Sequence, residues 1–438
     1  MKQTKLMLVA LLAALVLNVM LFTACGNSQS PSSTAESTDN LPTVSTSAGN
    51  ASPASTSVPV TSVPVTSAPV TTVPVTTSPV TTSYTGPLAE NPVSSYEIIK
   101  GDATKLGKTF KTSETNTRIS LETLWASAEF SVAITPGGTG QAGVIFGYSK
   151  DGDTESYYRF TVDENNVYLL KFTGTKSQTL FSNFGSNVGT TKHAMKIIVT
   201  ADKVYCYSRD RLFAVVEDNV IGKKVGYFAV NKGTSFSSPK FDYAVNTPDQ
   251  IDTILFGHSY FNGWYNWEAD TKALFEEFGL GSGRNLGIGG SGSHDWKKLK
   301  ETLTVYKPKM GIYMIGINDM VFGRSPELTV SDIEETILHI KKEIPEFELV
   351  LISVNHCPAK SDLAKGIIET NKLMRELCAK YDWVHLADIE YDFYDENNRP
   401  IMSYFSSDGL HMATHSYPEV IVPAIREALK GENQPEGK

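Results

Sequence analysis

The chain has 438 residues, of which 41% are hydrophobic and 20% are charged, and its formal net charge is -9. This length is too great for one hydrophobic core, so we expect a protein of two or more domains. The acidic balance argues against nucleic acid as a partner, because a phosphate backbone requires a basic surface.

The first 25 residues have the pattern of a secretory signal. Lys2 and Lys5 precede an almost wholly apolar run at 6–22, which is short for a membrane span of about 20 residues. The segment Leu-Phe-Thr-Ala-Cys that follows resembles the bacterial lipobox, and this resemblance implies that Cys25 carries a lipid. We therefore expect an extracellular protein on a bacterial cell surface that contacts the membrane only through its lipid anchor. Cleavage without lipid attachment is the alternative.

Residues 26–95 predict a linker. They are rich in Ser, Thr, Pro, Val and Ala, and units similar to Val-Pro-Val-Thr repeat about every five residues over 58–83. Proline at this density blocks both helices and sheet ladders, and the segment has little apolar surface to bury. We expect an extended spacer that holds the rest of the chain away from the membrane.

Residues 96–245 predict an all-β domain. Short runs of alternating hydrophobicity are separated by turn sequences such as Gly137-Gly138, which favours a sandwich or a barrel. The stretch SYYRFTVDENNVYLLKF resembles concanavalin-like jelly-roll domains, and the resemblance implies either sugar binding or a spacer role. Trp125 is the only tryptophan in this segment, so exposed aromatic residues do not decide between the two roles.

Residues 250–432 predict an α/β domain, joined to the β domain by a hinge at 246–250. Predicted strands lie at 252–257, 284–289, 310–316, 347–354 and 383–389. Predicted helices lie at 268–278, 296–305, 331–343, 361–380 and 416–429, and Ser331 with Glu334 predicts a capping box. This alternation indicates a parallel sheet covered by helices on both faces, with a functional site at the carboxyl ends of the strands.

Four short blocks follow the predicted strands. Ser259 follows the first, the glycine-rich segment at 285–296 the second, and Gly-Ile-Asn-Asp at 316–319 the third, while Asp-Gly-Leu-His at 408–411 lies near the C-terminus. Acyl transfer requires a nucleophilic hydroxyl, a base, an anion that orients the base, and donors for an oxyanion. The four blocks together supply this set.

These blocks, in this order, resemble the SGNH or GDSL-like hydrolase family from residue 252 to the last helix. The resemblance implies a three-layer, flavodoxin-like α/β fold and a serine esterase that needs no cofactor. Ser259 would be the nucleophile, His411 the base and Asp408 its partner. The backbone N–H groups of Ser259 and Gly290 and the side-chain amide of Asn318 would form the oxyanion hole.

One family position differs here, and three further residues are candidates for contact with substrate. The first family block usually reads Gly-Asp-Ser, whereas this chain has His258; that Asp is not the triad acid, so we expect catalysis to survive. His258, Trp264 and His356 could line the substrate site, and a structural contact is the alternative for each. His411 and His415 have the spacing of a metal pair, but the segment lacks the Glu of His-Glu-x-x-His, so we predict no metal.

Two other enzyme classes fit less well. The Gly-x-Gly-x-x-Gly match at 287–292 follows the second predicted strand, whereas the dinucleotide fingerprint opens the first unit of its domain. The α/β-hydrolase elbow requires a second glycine, but Tyr260 and Phe261 follow Ser259. We therefore predict an esterase that removes acetyl or other acyl groups from a polysaccharide or cell-surface glycan. The alternative is a glycan-binding surface protein with an inactive SGNH-like domain, which only His258 favours.

Overall fold

The computed structural model describes residues 96–121, 128–185, 188–200, 203–217, 224–242 and 248–431. The predicted signal, Cys25 and the linker at 26–95 lie outside the described residues, and lipid anchoring stays a prediction. The domain boundaries at 245 and 250 also stay predictions. In the described part of the chain, every helix is too short or too polar to span a bilayer.

The first part of the described chain contains two antiparallel sheets of seven strands each, numbered in chain order. The first sheet contains, in spatial order, β1 (Tyr96–Lys100), β4 (Thr117–Leu121), β13 (Val225–Ala229), β6 (Ala142–Asp151), β7 (Thr154–Val162), β8 (Asn166–Thr173) and β9 (Lys176–Phe184). The second contains β12 (Arg211–Val216), β11 (Val204–Ser208), β10 (His193–Val199), β5 (Ala128–Thr135), β14 (Ser235–Asp242), β3 (Thr109–Thr112) and β2 (Ala103–Leu106).

Aromatic side chains join these two sheets in a shared core. Tyr227 on β13 of the first sheet stacks on Phe236 of β14 in the second, with ring centroids 4.6 Å apart. Phe110 on β3 lies 5.6 Å from the same tyrosine ring. All three side chains are fully buried, because alternate residues of each strand point inward. The predicted sandwich-like arrangement is confirmed, and the jelly-roll classification stays a prediction.

The second part of the described chain contains a five-stranded parallel sheet. Its spatial order is β16 (Gly283–Asn285), β15 (Thr253–Gly257), β17 (Met310–Met314), β18 (Glu348–Ile352) and β19 (Val384–Ala387). Every residue of β15 and β17 is buried, as expected when helices cover both faces of a parallel sheet. The next strand after β15 in the chain, β16, lies on one side of β15, and the strand after that, β17, lies on the other side. Where the strand order reverses in this way, parallel sheets have a crevice at the carboxyl ends of the two strands, here β15 and β17.

The helices around this sheet form two packed groups. The helices are α1 (Ser259–Asn262), α2 (Trp267–Phe278), α3 (Ser293–Thr304), α4 (Ile317–Val321), α5 (Pro326–Glu343), α6 (Ala364–Lys380) and α7 (Val422–Lys430). Two 3-10 segments, Pro358–Leu363 and Met402–Tyr404, and a π-helical segment, Tyr417–Ile421, complete the described elements. Helices α3, α5 and α6 pack in succession, and α2 packs on α7.

The predicted start of α5 is wrong. The helix begins at Pro326, and the hydroxyl of Ser325 accepts from the backbone N–H of Leu328 at 3.3 Å as its N-cap. Proline is favoured at the first helical position because its fixed φ suits a helix and its missing N–H has no partner there. Ser331 lies inside the helix, and Glu334 instead accepts from Lys380, so the predicted capping box does not form.

Candidate active site

The nucleophile turn follows β15. Gly257 has φ +145°, and a Cβ there would lie 1.9 Å from the carbonyl oxygen of Met314, so only glycine fits. The chain then enters α1, whose first residue is Ser259, with a half-buried side chain. The serine hydroxyl therefore stands at the carboxyl edge of the parallel sheet, where the strand order predicts a site.

His258 is the N-cap of α1. Its Nδ1 accepts from the backbone N–H of Tyr260 at 3.3 Å, which is the contact that an Asp or Asn side chain makes in most caps. The ring is only 2% exposed, and this burial lowers its pKa to about 3, so the imidazole stays neutral and can accept. His258 is thus a buried cap of this turn, which contradicts the prediction that it lines the substrate site.

Ser259, His411 and Asp408 form a continuous hydrogen-bonded chain. His411 Nε2 lies 3.0 Å from Ser259 Oγ, and His411 Nδ1 lies 2.6 Å from Asp408 Oδ2. The other carboxylate oxygen of Asp408 accepts from the hydroxyl of Ser406 at 2.8 Å and from the backbone N–H groups of Leu410 and His411 at 2.9 Å each. These hydrogen bonds to the Asp408 carboxylate hold the segment 406–411, here called the triad loop, in a compact turn.

These bonds set the protonation of the triad loop. Burial acts to raise the pKa of Asp408, but hydrogen bonds from His411, Leu410 and Ser406 together outweigh it and hold that pKa well below its usual range. An ionised carboxylate only accepts, so His411 carries its proton on Nδ1. His411 Nε2 is therefore the atom that can accept the proton of Ser259.

The predicted triad is open to solvent at its acid and its base. The side chains of His411 and Asp408 are 43% and 49% exposed. One cavity of about 880 Å³ in the described part of the chain is lined by Lys203 and Glu301 among others, and Ser259 is not among its lining residues. The side chains of His411 and Asp408 thus lie at the protein surface, next to the half-buried Ser259.

The segment 286–292, here called the glycine loop, runs beside the nucleophile turn. The strand predicted at 284–289 is shorter in the structure, where β16 ends at Asn285. The backbone N–H of Ile288 donates to the carbonyl of Gly257 at 2.8 Å, and Gly290 has φ +78°. Within the described residues, the N–H groups of Ser259 and Gly290 donate to no protein acceptor.

Helix α4 holds the far end of the glycine loop. The Asn318 amide donates one N–H to the carbonyl of Ser291 at 3.0 Å, which leaves its second N–H available. The neighbouring Asp319 is fully buried and accepts from the hydroxyl of Ser293 at 2.6 Å and from its backbone N–H at 2.9 Å. Sequence reasoning missed Asp319, although it is the last residue of the Gly-Ile-Asn-Asp block.

Tyr260 connects α1 to the triad loop. Its hydroxyl donates to the carbonyl of Leu410 at 2.9 Å, and its own carbonyl accepts from the hydroxyl of Tyr417 at 2.7 Å. The Tyr260 ring lies edge-on to His411, with ring centroids 6.0 Å apart. No motif pointed to this residue, and its position directly after Ser259 was the only available signal.

Trp264 does not line the site. It is 1% exposed and stacks on Tyr417, with ring centroids 4.8 Å apart. Its indole N–H donates to the carboxylate of Asp270 at 2.7 Å, so its polar atom is also satisfied inside the protein. The substrate-lining prediction for Trp264 is therefore wrong, and the packing alternative is correct.

His356 and His415, the two other histidines considered from the sequence, both lie beside aromatic rings. His356 is 8% exposed, stacks on Tyr391 and lies 3.5 Å from Glu390, so it has little surface for a substrate. The His415 ring packs near Tyr404, with centroids 5.8 Å apart. Among the described residues, no group of three or more His, Cys, Asp or Glu side chains could hold a metal ion.

Residues 253–417 match the sequence profile of the GDSL-like Lipase/Acylhydrolase family. No curated protein sequence matches the chain significantly. Among solved structures, a lipase/acylhydrolase from Enterococcus faecalis has 21% identity and a TM-score of 0.34, covering 43% of this chain and 100% of its own.

Two further solved structures carry carbohydrate-related names. A carbohydrate esterase of family 3 from Talaromyces cellulolyticus has 14% identity and a TM-score of 0.33, covering 42% of this chain and 98% of its own. A carbohydrate-binding module from Bacillus subtilis has 17% identity and a TM-score of 0.30, covering 34% of this chain and 94% of its own.

Proposed function

We propose that the GDSL-like acylhydrolase domain of this chain is a serine esterase in which Ser259 is the nucleophile. The observation that carries the proposal is the hydrogen-bonded chain from Asp408 Oδ2 through both nitrogens of His411 to Ser259 Oγ, with distances of 2.6 Å and 3.0 Å. This order of acid, imidazole and hydroxyl is what activates a serine toward a carbonyl carbon.

The reaction proceeds in two acyl transfers. His411 Nε2 takes the proton of Ser259 as Oγ attacks the ester carbonyl, and the ionised Asp408 stabilises the resulting imidazolium. The N–H groups of Ser259 and Gly290 and the free N–H of Asn318 donate to the oxyanion. His411 then protonates the leaving alkoxide oxygen, which departs as an alcohol. Water, deprotonated by His411, then attacks the acyl-enzyme carbonyl. The bond to Ser259 Oγ breaks, the carboxylic acid leaves, and His411 returns the proton to Oγ.

The substrate that suits this site is an acyl group on a large molecule. The triad faces an open surface, with His411 and Asp408 43% and 49% exposed, so an ester on a polymer can reach Ser259 without threading into a pocket. We assign an acetylated or otherwise acylated polysaccharide at the cell surface as this polymer. Extracellular location and lipid attachment at Cys25 belong to the same proposal and rest on the sequence of the first 25 residues.

The binding-protein alternative loses the feature that favoured it. His258 replaces the usual Asp of the first family block, yet its Nδ1 still caps α1 by accepting from Tyr260. The substitution therefore leaves the nucleophile turn intact, and the arrangement of Ser259 favours an active enzyme.

The test is hydrolysis of p-nitrophenyl acetate, and release of acetate from an acetylated xylan, by the full chain. Ser259→Ala and His411→Ala should each lower kcat about 10³-fold or more, because either change removes a member of the triad. Ser331→Ala, an exposed serine on α5, is the matched control and should behave as the parent.

Three results would contradict the proposal. Full activity in Ser259→Ala would remove the nucleophile assignment. A folded parent that hydrolyses no ester would favour the binding-protein alternative. Turnover of a long-chain lipid ester without acetate release from any glycan would overturn the substrate assignment while leaving the chemistry in place.

A further inference from the structure

The β-sandwich contacts the glycine loop through Arg211. This residue begins β12, and its guanidinium donates to two consecutive carbonyl oxygens of the loop, from Nη1 to Leu286 and from Nη2 to Gly287 at 2.8 Å. Burial lowers the pKa of the Arg211 guanidinium to about 10, and within the described residues it has no carboxylate in ion-pair range. Loop carbonyls thus provide partners that replace water for a half-buried cation.

The end of β9 contacts the same segment at a second place. A Cβ on Gly290 would lie only 2.8 Å from the Phe184 ring. The ring therefore packs directly against the backbone of the proposed oxyanion donor. Gly185 approaches Ile288 equally closely, since a Cβ there would lie 2.6 Å from that side chain. The Asn183 amide also donates to the carbonyl of Asp295 in α3, at 3.4 Å.

The glycine loop needs such external support. Glycine has the largest conformational freedom of any residue, and four of the seven residues at 286–292 are glycines. An oxyanion donor must lie within roughly 2.7–3.1 Å of the developing charge, so a loop that samples other conformations loses transition-state stabilisation. Asn318 holds the loop at Ser291, whereas Arg211 holds it at the opposite end.

We propose that Arg211 is a positioning residue for the Gly290 oxyanion donor, so that the β-sandwich is part of the esterase active site. The inference rests on the proposed esterase function for its effect on rate, and on geometry alone for the contact. Arginine suits this task because its planar guanidinium can donate to two carbonyls in a fixed relation, whereas a lysine ammonium is a point donor on a flexible stem.

The test compares Arg211→Ala and Arg211→Lys with Arg209→Ala in the full chain. Arg209 is two residues away, and its Nη2 donates to the hydroxyl of Thr191 at 3.0 Å, so it is a matched control. We would measure kcat and KM for p-nitrophenyl acetate, thermal unfolding, and amide hydrogen exchange of the peptide that covers 286–292.

Arg211→Ala should lower kcat about 10- to 100-fold with KM changed less than about 3-fold, because an oxyanion donor acts mainly in the transition state. Exchange at 286–292 should accelerate in the same variant. Arg211→Lys should be intermediate in both, and Arg209→Ala should match the parent. If Arg211→Ala fails to fold, kcat and amide hydrogen exchange at 286–292 in Arg211→Lys test the proposal instead.

Two outcomes would overturn the inference: parent-like kcat and exchange in Arg211→Ala, or a lower melting temperature with unchanged kcat and unchanged exchange. A parent without esterase activity is a separate result. If exchange at 286–292 still accelerates in Arg211→Ala, the esterase proposal fails and the contact between sandwich and loop stands.

Discussion

The triad loop at 406–411 and the glycine loop at 286–292 bring different groups to Ser259 and are held by different kinds of contact. In the triad loop, the Asp408 carboxylate accepts hydrogen bonds from residues at most three positions away, namely Ser406, Leu410 and His411. The glycine loop is instead held by distant residues, among them Asn318 from α4 and Arg211 from the β-sandwich. Local hydrogen bonds therefore hold the proposed acid, and Tyr260 adds a distant tether at Leu410. The proposed oxyanion donor depends more on tertiary contacts.

This difference predicts how far the effect of a substitution in each loop extends through the protein. A change in the triad loop should affect the protonation chemistry and leave the rest of the protein unaltered. A change near the glycine loop should act through packing and should depend on residues that lie in another part of the chain. Three variants test the comparison, from the largest expected effect to the smallest, and a fourth tests the cap of the nucleophile turn.

Asp408→Asn should cause the largest loss, about 10³- to 10⁴-fold in kcat for p-nitrophenyl acetate. The neutral amide cannot stabilise the imidazolium that forms on His411, and it can also favour the wrong tautomer. Ser406→Ala is the control, because it removes one hydrogen bond to the same carboxylate and should cost less than about 10-fold. Equal losses in the two variants would mean that loop geometry, rather than charge, is what Asp408 supplies.

Gly290→Ala should lower kcat about 10²- to 10³-fold, which is the effect of losing one oxyanion donor. Its φ of +78° strains any other residue, and the new Cβ would lie 2.8 Å from the Phe184 ring. Gly289→Ala is the matched control, since its Cβ would meet Asn262 at an ordinary 3.7 Å. Steady-state kinetics on both variants check this; similar kcat values would show that the loop tolerates displacement.

The comparison also explains which parts of the site could be predicted from sequence. The triad loop and the nucleophile turn could be predicted, because their residues act together over spacings that a motif preserves. Arg211, Asp319 and Tyr260 were missed, because their partners lie 75, 26 and 150 positions away in the chain. A single sequence contains no record of such pairings.

The fold could likewise be predicted where it depends on local sequence patterns. Alternating hydrophobicity within strands predicted sandwich-like sheets, and apolar strands that alternate with helices predicted a parallel sheet. The start of α5 was placed five residues late, because the Ser325-Pro326 signal was passed over in favour of Ser331. Trp264 was assigned to the substrate site because an aromatic residue beside a motif does not reveal its own burial.

His258 should make stability depend on pH below about 6.5. The ordinary pKa of histidine is 6.5 and burial lowers that of His258 to about 3, so between these values the unfolded chain binds a proton that the folded chain does not. Stability therefore falls as the pH falls through this window. From pH 7 to pH 4.5 the loss attributable to His258 is about 3 kcal/mol.

Urea unfolding of the parent and of His258→Asn at pH 7 and pH 4.5 measures this loss. Asparagine is a favoured N-cap and does not titrate, so the variant should lose about 3 kcal/mol less than the parent on acidification. Other buried histidines such as His193 contribute equally to both proteins. Identical losses in the two proteins would mean that His258 is protonated in the folded state, and the neutral cap would be wrong.

Tyr260→Phe should give the smallest effect, about a 3- to 10-fold fall in kcat. It removes the hydroxyl that bonds the carbonyl of Leu410 in the triad loop, and a net hydrogen bond is worth about 1 kcal/mol. Tyr417→Phe is the matched control, because it removes a bond of similar length to the Tyr260 carbonyl without touching that loop. Both variants should lose similar stability in urea, but only Tyr260→Phe should lower kcat. If both keep the parent kcat, the Tyr260 tether does not contribute to the rate. If both lower kcat equally, the position of α1, and not the loop tether, limits the rate.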